Sequence, residues 1–323
     1  MGKKRIFLTR TIHDFALKKL RERYQVEIHT GKIPISQIKL RSKIENIEGL
    51  ICFPYDKIGS DLIDAAKNLK VISTYSVGID HIDTQYAKKK KIRVGYTPEV
   101  LTDATADLTF SLMLDVVRRV SEGDRIIRNG KWRQIYGAFD YVGMDVQGKT
   151  LGIFGLGRIG SAVAKRAKSF DMKIIYHNRK PVSKNKEKRL GLKYVTLNKL
   201  ITQSDIISIH APHTKETDQL FDMKIFKKMK NSAFLINTSR GKIINEVDLV
   251  IALNKKFIAG AALDVYGSEP INENHPLTKI QNVVLTPHIG SSTKETRVKM
   301  AEITVKNLNL GISGKKPIYS VGY

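Results

Sequence analysis

Hydrophobic residues recur in short runs along most of the 323-residue chain, and stretches with helical spacing separate many of them. Positions 5–9, 25–29, 49–52, 71–75 and 93–96 read as strands, with helical pattern at 14–23 and 62–66. Such alternation predicts an α/β arrangement on a parallel sheet. Proline disfavours helix before it, so Thr97-Pro98 marks a break. Positions 101–120 then predict one long helix with Leu108, Leu112, Val116 and Val120 on a single apolar stripe. Positions 129–147, with Trp132, Tyr136, Phe139 and Tyr141, show no period, and an irregular stretch of that length is usually functional or packs on a partner. A second series of apolar strands follows at 150–154, 173–176, Val195, 206–210, 233–237, 259–263 and 283–285, with helical pattern at 197–202, 223–229 and 247–253. The expectation is two doubly wound parallel-sheet domains, with 292–310 as a closing helix that packs back on the first. Crossings near Pro98 and Gly290 give one domain over 1–98 and 290–323 and a second over 99–289.

The second series opens on GKTLGIFGLGRIG. Gly155, Gly157 and Gly160 fall at the GxGxxG spacing between an apolar strand and a helical pattern carried by Ile159, Ala162, Val163, Ala167 and Phe170. The first glycine permits the tight turn, the second lets backbone approach a pyrophosphate, and the third lets helix and strand pack closely. The helix start adds N–H groups and positive potential. About 20 residues beyond the first glycine, nicotinamide sites for NAD usually place an acid on the ribose 2′-OH. Here the strand ends in His177, Asn178, Arg179 and Lys180, with no carboxylate. Arg179 and Lys180 suit a 2′-phosphate; the same four residues also fit a basic surface turn. The reading is a preference for NADPH/NADP, with NADH as a weaker alternative.

Lys and Arg outnumber Asp and Glu by 25, but the lysines are spread along the chain, with only a short run at 88–91. That distribution fits a solvated surface better than a nucleic-acid face, and the positive field would draw in a phosphorylated cofactor and a carboxylate substrate. Cys52 is the single cysteine, which excludes an internal disulfide and points to a reducing compartment. The N-terminal stretch has no long apolar run, no segment suits a membrane span, and a cytoplasmic location is expected.

Candidate chemistry follows three later strands. Arg240 comes after AFLINTS, Glu269 after AALDVYGS, and His288 after VVLTP. Each follows an apolar strand, so all three are expected at the ligand-binding edge of one sheet. Taken singly they also read as a helix-start arginine, a surface glutamate and a capping histidine. Together, an arginine can fork onto a carboxylate and polarise the adjacent carbonyl, and a histidine can exchange a proton near neutral pH. A neighbouring glutamate favours the imidazolium and fixes the ring. Val77 and Gly78, directly after a strand, could present N–H groups to an anion, or could be an ordinary strand-to-helix turn. His210 and His213 have the look of a metal pair but lack a third ligand at a telling distance.

The set GLGRIG, NTSRG, LDVYGSEP and TPHIGSST resembles the D-2-hydroxyacid dehydrogenase family over nearly the whole chain. LKVISTYSVGIDHID and RVGYTPEVLTDATADL resemble its glyoxylate/hydroxypyruvate reductase branch in particular. The resemblance implies a Rossmann-type cofactor domain plus a flavodoxin-like substrate domain. It implies that Arg240 binds the substrate carboxylate and carbonyl, that His288 donates the proton, and that Glu269 holds His288 protonated. Val77 and Gly78 would grip the carboxylate. Gly155, Leu156, Gly157, Arg158, Ile159 and Gly160 would hold the pyrophosphate, with Asn178, Arg179 and Lys180 at the ribose and Pro212 and Thr217 at the adenosine end. Thr238, Asp264, His288 and Gly290 would sit near the nicotinamide and Thr105 near the cofactor, and the nucleotide contacts around Pro212 leave no metal at His210 and His213. A homodimer is implied, with helix 101–120 and the following loop at the contact, although Arg133 rather than Pro follows Trp132. The expected activity is NADPH-preferring reduction of small 2-oxo acids, glyoxylate or hydroxypyruvate. A D-3-phosphoglycerate dehydrogenase-like enzyme, or a dinucleotide-sensing corepressor-type protein on the same fold, are the alternatives. The absence of an acid after the second nucleotide strand speaks against the first of these, and the intact Arg240, Glu269 and His288 set against the second.

Overall fold

Strands β1 (Arg5–Leu8), β2 (Gln25–Ile28), β3 (Gly49–Cys52), β4 (Val71–Thr74) and β5 (Arg93–Gly95) alternate with helices α1 (Asp14–Arg23), α2 (Gln37–Ile44), α3 (Ser60–Ala65) and α4 (Thr84–Lys89). The computed structural model describes residues 2–321 and falls into two units, residues 2–101 with 291–321 and residues 102–290. In the first unit β3 (GLIC) and β4 (VIST) are buried at every position, as strands covered on both faces of a parallel sheet must be. Ser36 and Asp83 cap α2 and α4 by accepting the N–H groups of Lys39 and Tyr86.

The second unit runs through α5 (Thr102–Arg118), α6 (Val120–Arg128), β6 (Thr150–Phe154), α7 (Arg158–Ser169), β7 (Lys173–His177), α8 (Lys184–Leu190), β8 (Leu192–Tyr194), α9 (Leu197–Gln203) and β9 (Ile206–Ile209). It continues through α10 (Met223–Phe226), β10 (Phe234–Asn237), α11 (Glu246–Asn254), β11 (Gly260–Leu263) and β12 (Val283–Leu285), with 3-10 turns at Gly241–Ile243 and Pro276–Lys279. The chain then returns to the first unit as α12 (Lys294–Ile312) and β13 (Ser320–Val321).

Each unit is built on its own sheet. The first has the order β2-β1-β3-β4-β5, all parallel, with β13 added antiparallel to β5. The second has seven parallel strands in the order β8-β7-β6-β9-β10-β11-β12. Strand order reverses between β6 and β9, and open α/β sheets bind ligands beyond the carboxyl ends of the strands at such a point. Apolar clusters cover the two faces of this sheet, one around Phe221, Phe226 and Leu249, the other around Phe110, Met113 and Tyr176.

The expected helix 101–120 differs from the structure. It ends at Arg118, and Arg119 takes a left-handed conformation at φ +58° before α6 begins. Asp115 makes this break tolerable by accepting the Ser121 N–H and hydroxyl, while Arg119 forks onto Glu122 at 2.9 and 2.8 Å and covers the Tyr141 ring at 4.1 Å. Val120, placed by the sequence on the buried stripe, is therefore 60 % exposed, and α6 buries no residue. The 129–149 segment has no helix or strand, and Trp132, Ile135 and Phe139 are exposed along it. Among the described residues, no helix is long and apolar enough to cross a membrane.

Candidate active site

Three neighbouring strands deliver the candidate reactive side chains. Arg240 follows β10, Glu269 lies beyond β11 and His288 beyond β12, and these strands are adjacent and parallel. The glycine turn follows β6 of the same sheet. All four segments thus leave the sheet at its carboxyl edge.

His288 and Glu269 meet directly. The ring Nδ1–H donates to Glu269 Oε2 at 2.6 Å, and Glu269 Oε1 accepts the Tyr266 N–H at 2.9 Å. With Nδ1 committed to the carboxylate, Nε2 is the nitrogen that can exchange a proton with a substrate. His288 sits at φ +54°, in the left-handed region, and needs external support there. Asp264 supplies it by accepting the Thr286 hydroxyl at 2.6 Å, the Ile289 N–H at 2.7 Å and the Gly290 N–H at 2.8 Å. Burial pushes the Asp264 carboxyl up, against those hydrogen bonds and the nearby His288 charge, which pull it down.

The Arg240 turn is pinned by its own sequence. Asn237 accepts the Ser239 N–H and donates to the Arg240 carbonyl, both at 3.0 Å, and the Arg240 guanidinium donates to the Ser239 carbonyl at 2.8 Å. Gly241 is obligatory: a Cβ there would stand 1.9 Å from the Tyr266 carbonyl carbon. The backbone after Arg240 is thereby pressed onto the segment that leads to Glu269.

The cofactor candidates gather around the β6–β9 reversal. Gly155 has φ +99°, and a Cβ on it would meet the Ala211 nitrogen at 2.4 Å. The space around Gly157 is open, so backbone there can take a close ligand. Together with the start of α7 at Arg158, Ile159 and Gly160, this is a cradle that fits a pyrophosphate. The Leu156 N–H itself is taken by Asn178 Oδ1 at 2.6 Å, so Asn178 ties the turn to the end of β7. Arg179 and Lys180 follow, exposed to solvent. Thr217 donates to the Pro212 carbonyl at 2.9 Å and brings these two candidates together. Thr105 donates to the Gly290 carbonyl at 3.1 Å. Val77 and Gly78 belong to the other unit, after β4, where the Ser76 hydroxyl donates to the Gly78 carbonyl at 2.6 Å.

Two further histidines, His210 and His213, follow β9 on this sheet edge. Desolvation pushes the His210 imidazole down to about 3, so it is neutral at physiological pH. His213 is engaged with Asp218 at 2.7 Å.

Sequence reasoning passed over two groups. Thr109 bonds the Thr238 hydroxyl at 2.8 Å from α5; in sequence it is one of several hydroxyl residues on a helix marked only by its apolar stripe. Glu246, at the start of α11, accepts the Gly267 N–H at 2.7 Å and approaches His275 Nε2 at 3.4 Å. In sequence it stands just before the helical pattern at 247–253, with nothing local to mark its contact with Gly267.

Comparison with known proteins places this chain among dehydrogenases. Residues 110–290 match the family model described as D-isomer specific 2-hydroxyacid dehydrogenase, NAD binding domain. The chain is 46 % identical over 318 residues to a glyoxylate reductase of Thermofilum pendens, covering 98 % of this chain and 94 % of that one. A crystal structure of a Thermus thermophilus protein superposes with a TM-score of 0.91 at 43 % identity, covering 98 % of this chain and all of that one. The NADPH-dependent glyoxylate/hydroxypyruvate reductase of Sinorhizobium meliloti, in complex with NADP and malonate, superposes with a TM-score of 0.86 at 30 % identity, covering 99 % and 97 %.

Proposed function

Because the chain belongs to the D-isomer specific 2-hydroxyacid dehydrogenase family, and is an oxidoreductase with an NAD-binding domain of that class, we propose that it is an NADPH-preferring reductase of glyoxylate and hydroxypyruvate. The observation that carries the chemistry is the 2.6 Å bond from His288 Nδ1 to Glu269 beside the Arg240 turn, on three adjacent strand ends. Arg240 binds the substrate carboxylate and polarises the carbonyl. His288 gives its Nε2 proton to the carbonyl oxygen as that oxygen gains charge, and Glu269 stabilises the imidazolium before transfer and fixes its ring. The bound nicotinamide cofactor supplies the hydride. Thr238, Asp264 and Gly290 line the nicotinamide end, while Thr105 supports it through the Gly290 carbonyl. Val77 and Gly78 grip the carboxylate and belong to a substrate domain over 1–98 and 290–323, and residues 99–289 form the cofactor domain.

Cofactor choice rests on the end of β7. Asn178 stands where a ribose-binding acid would repel phosphate, and Arg179 and Lys180 follow it. The NADP-bound Sinorhizobium relative supports this reading. A homodimer is part of the proposal: exposed Val120 and Ile127 on α6, with Trp132, Ile135 and Phe139 on the following segment, are the kind of apolar surface a second subunit covers.

The test is the rate of cofactor oxidation. With glyoxylate, kcat/KM for NADPH is expected to exceed that for NADH about tenfold or more, the value of one or two charge-assisted hydrogen bonds. Comparable values for the two cofactors would overturn the NADPH reading, and turnover of phosphohydroxypyruvate alone would favour the phosphoglycerate dehydrogenase alternative.

A further inference from the structure

The turn between β7 and α8, residues 178–183, reads NRKPVS and carries the two exposed cations of the cofactor site. Exposed lysine and arginine side chains discriminate poorly unless their backbone is fixed, because the entropy of ordering them opposes each contact. This turn is fixed at both ends from inside. At its start, Asn178 accepts the Leu156 N–H at 2.6 Å, and its carbonyl accepts the Tyr194 hydroxyl at 3.3 Å. At its far end, the Val182 N–H donates to the Tyr176 hydroxyl at 2.9 Å. Tyr176 is wholly buried, and its hydroxyl in turn donates to Glu187 Oε1 at 2.8 Å.

Glu187 is 7 % exposed, an unusual place for an acid. Both its oxygens are used, the second by Lys184 at 2.7 Å. A carboxylate can only accept, so it commits the Tyr176 hydroxyl proton to itself and leaves the phenol oxygen's lone pair for Val182. The buried acid thus sets the direction of the bond that anchors the turn. Between the two anchors stand Arg179, Lys180 and Pro181, and proline removes one backbone freedom. In the 210–218 loop the Glu216 carboxyl is held below its usual range by the Thr214 hydroxyl first, and by the charges of Arg179 and Lys215 as well.

We propose that Tyr176 and Glu187 are positioning residues for cofactor discrimination, holding Arg179 and Lys180 in place to receive the 2′-phosphate of an NADP-type cofactor. The inference rests on the NADPH reading above. Neither residue touches the cofactor; both act through the turn.

The test is Tyr176→Phe, with NADP⁺ and NAD⁺ binding measured by calorimetry and the kcat/KM ratio for NADPH over NADH measured with glyoxylate. Loss of one anchoring hydrogen bond is expected to weaken NADP⁺ about three- to tenfold. NAD⁺ binding should change less than about twofold, since it makes no 2′-phosphate contact. A purely structural role would weaken both cofactors together. Tyr194→Phe, which releases the other end of the turn, is expected to shift the ratio in the same direction and serves if Tyr176→Phe does not fold. Equal losses for both cofactors, or an unchanged ratio in a folded variant, overturn the inference alone. A wild-type protein that binds NADP⁺ no better than NAD⁺ overturns the NADPH reading and this inference with it.

Discussion

Replacing His288 with alanine lowers kcat for glyoxylate reduction about a thousandfold, the middle of the range for loss of a general acid. NADPH binding stays close to wild type. The selectivity follows from how the side chain is held. Asp264 keeps the 286–290 backbone in place through Thr286, Ile289 and Gly290, and those bonds do not involve the imidazole. Histidine already occupies this left-handed position, so alanine adds little backbone strain there and the loop is kept. The proton donor is lost and the scaffold is kept. Rates of NADPH oxidation, with binding followed by cofactor fluorescence, check this. A variant that retains most of its turnover removes His288 from the role.

Arg240→Lys fails in another way. A guanidinium presents its donors in a planar fork, and an ammonium does not reproduce a two-point grip on a carboxylate. Loss of one charge-assisted bond of about 1.5–3 kcal/mol raises KM for glyoxylate roughly ten- to a hundredfold. The lysine keeps the positive charge, so long-range attraction of the acid is unchanged and the loss reports geometry. The turn itself survives, because Asn237 bonds backbone at Ser239 and Arg240, and Gly241 remains against Tyr266. Steady-state KM for the acid and the dissociation constant for NADPH are the two readouts. An unchanged KM counts against carboxylate binding by Arg240.

Much of the fold is legible because parallel strands buried on both faces leave continuous apolar runs. GLIC at β3 and VIST at β4 are such runs, and the chain places strands where they occur. The glycine turn is legible because backbone constraint at Gly155 admits no side chain. Elements defined by distant partners are not. Ser320–Val321 is a strand only because β5 lies beside it, and nothing local marks it. Helix α8, KNKEKRL, has no apolar stripe to reveal it; its one buried side chain is Glu187. The break at Arg119 escapes because a left-handed arginine carries no local signature, and its supports, Asp115, Glu122 and Tyr141, are spread over more than twenty residues.

The same division holds within the site. Arg240, Glu269 and His288 stand out because each comes a few residues after an apolar strand. That His288 and Glu269 touch while lying 19 positions apart is a fact of tertiary structure. The supporting groups were harder to see. Glu246 on Gly267, Thr109 on Thr238 and Tyr176 under Val182 act through backbone or hydroxyl contacts, and in sequence they read as a helix start, a helix interior and a strand.

Glu269 matters in this account only through His288. A double-mutant cycle in kcat for glyoxylate reduction, comparing Glu269→Gln, His288→Ala and the two combined, measures that dependence. The predicted result is that the double variant is no slower than His288→Ala alone, because a carboxylate with no imidazole to hold has nothing left to contribute. Losses that multiply across the two sites would mean that each group acts independently, and would contradict the pairing on which the mechanism stands.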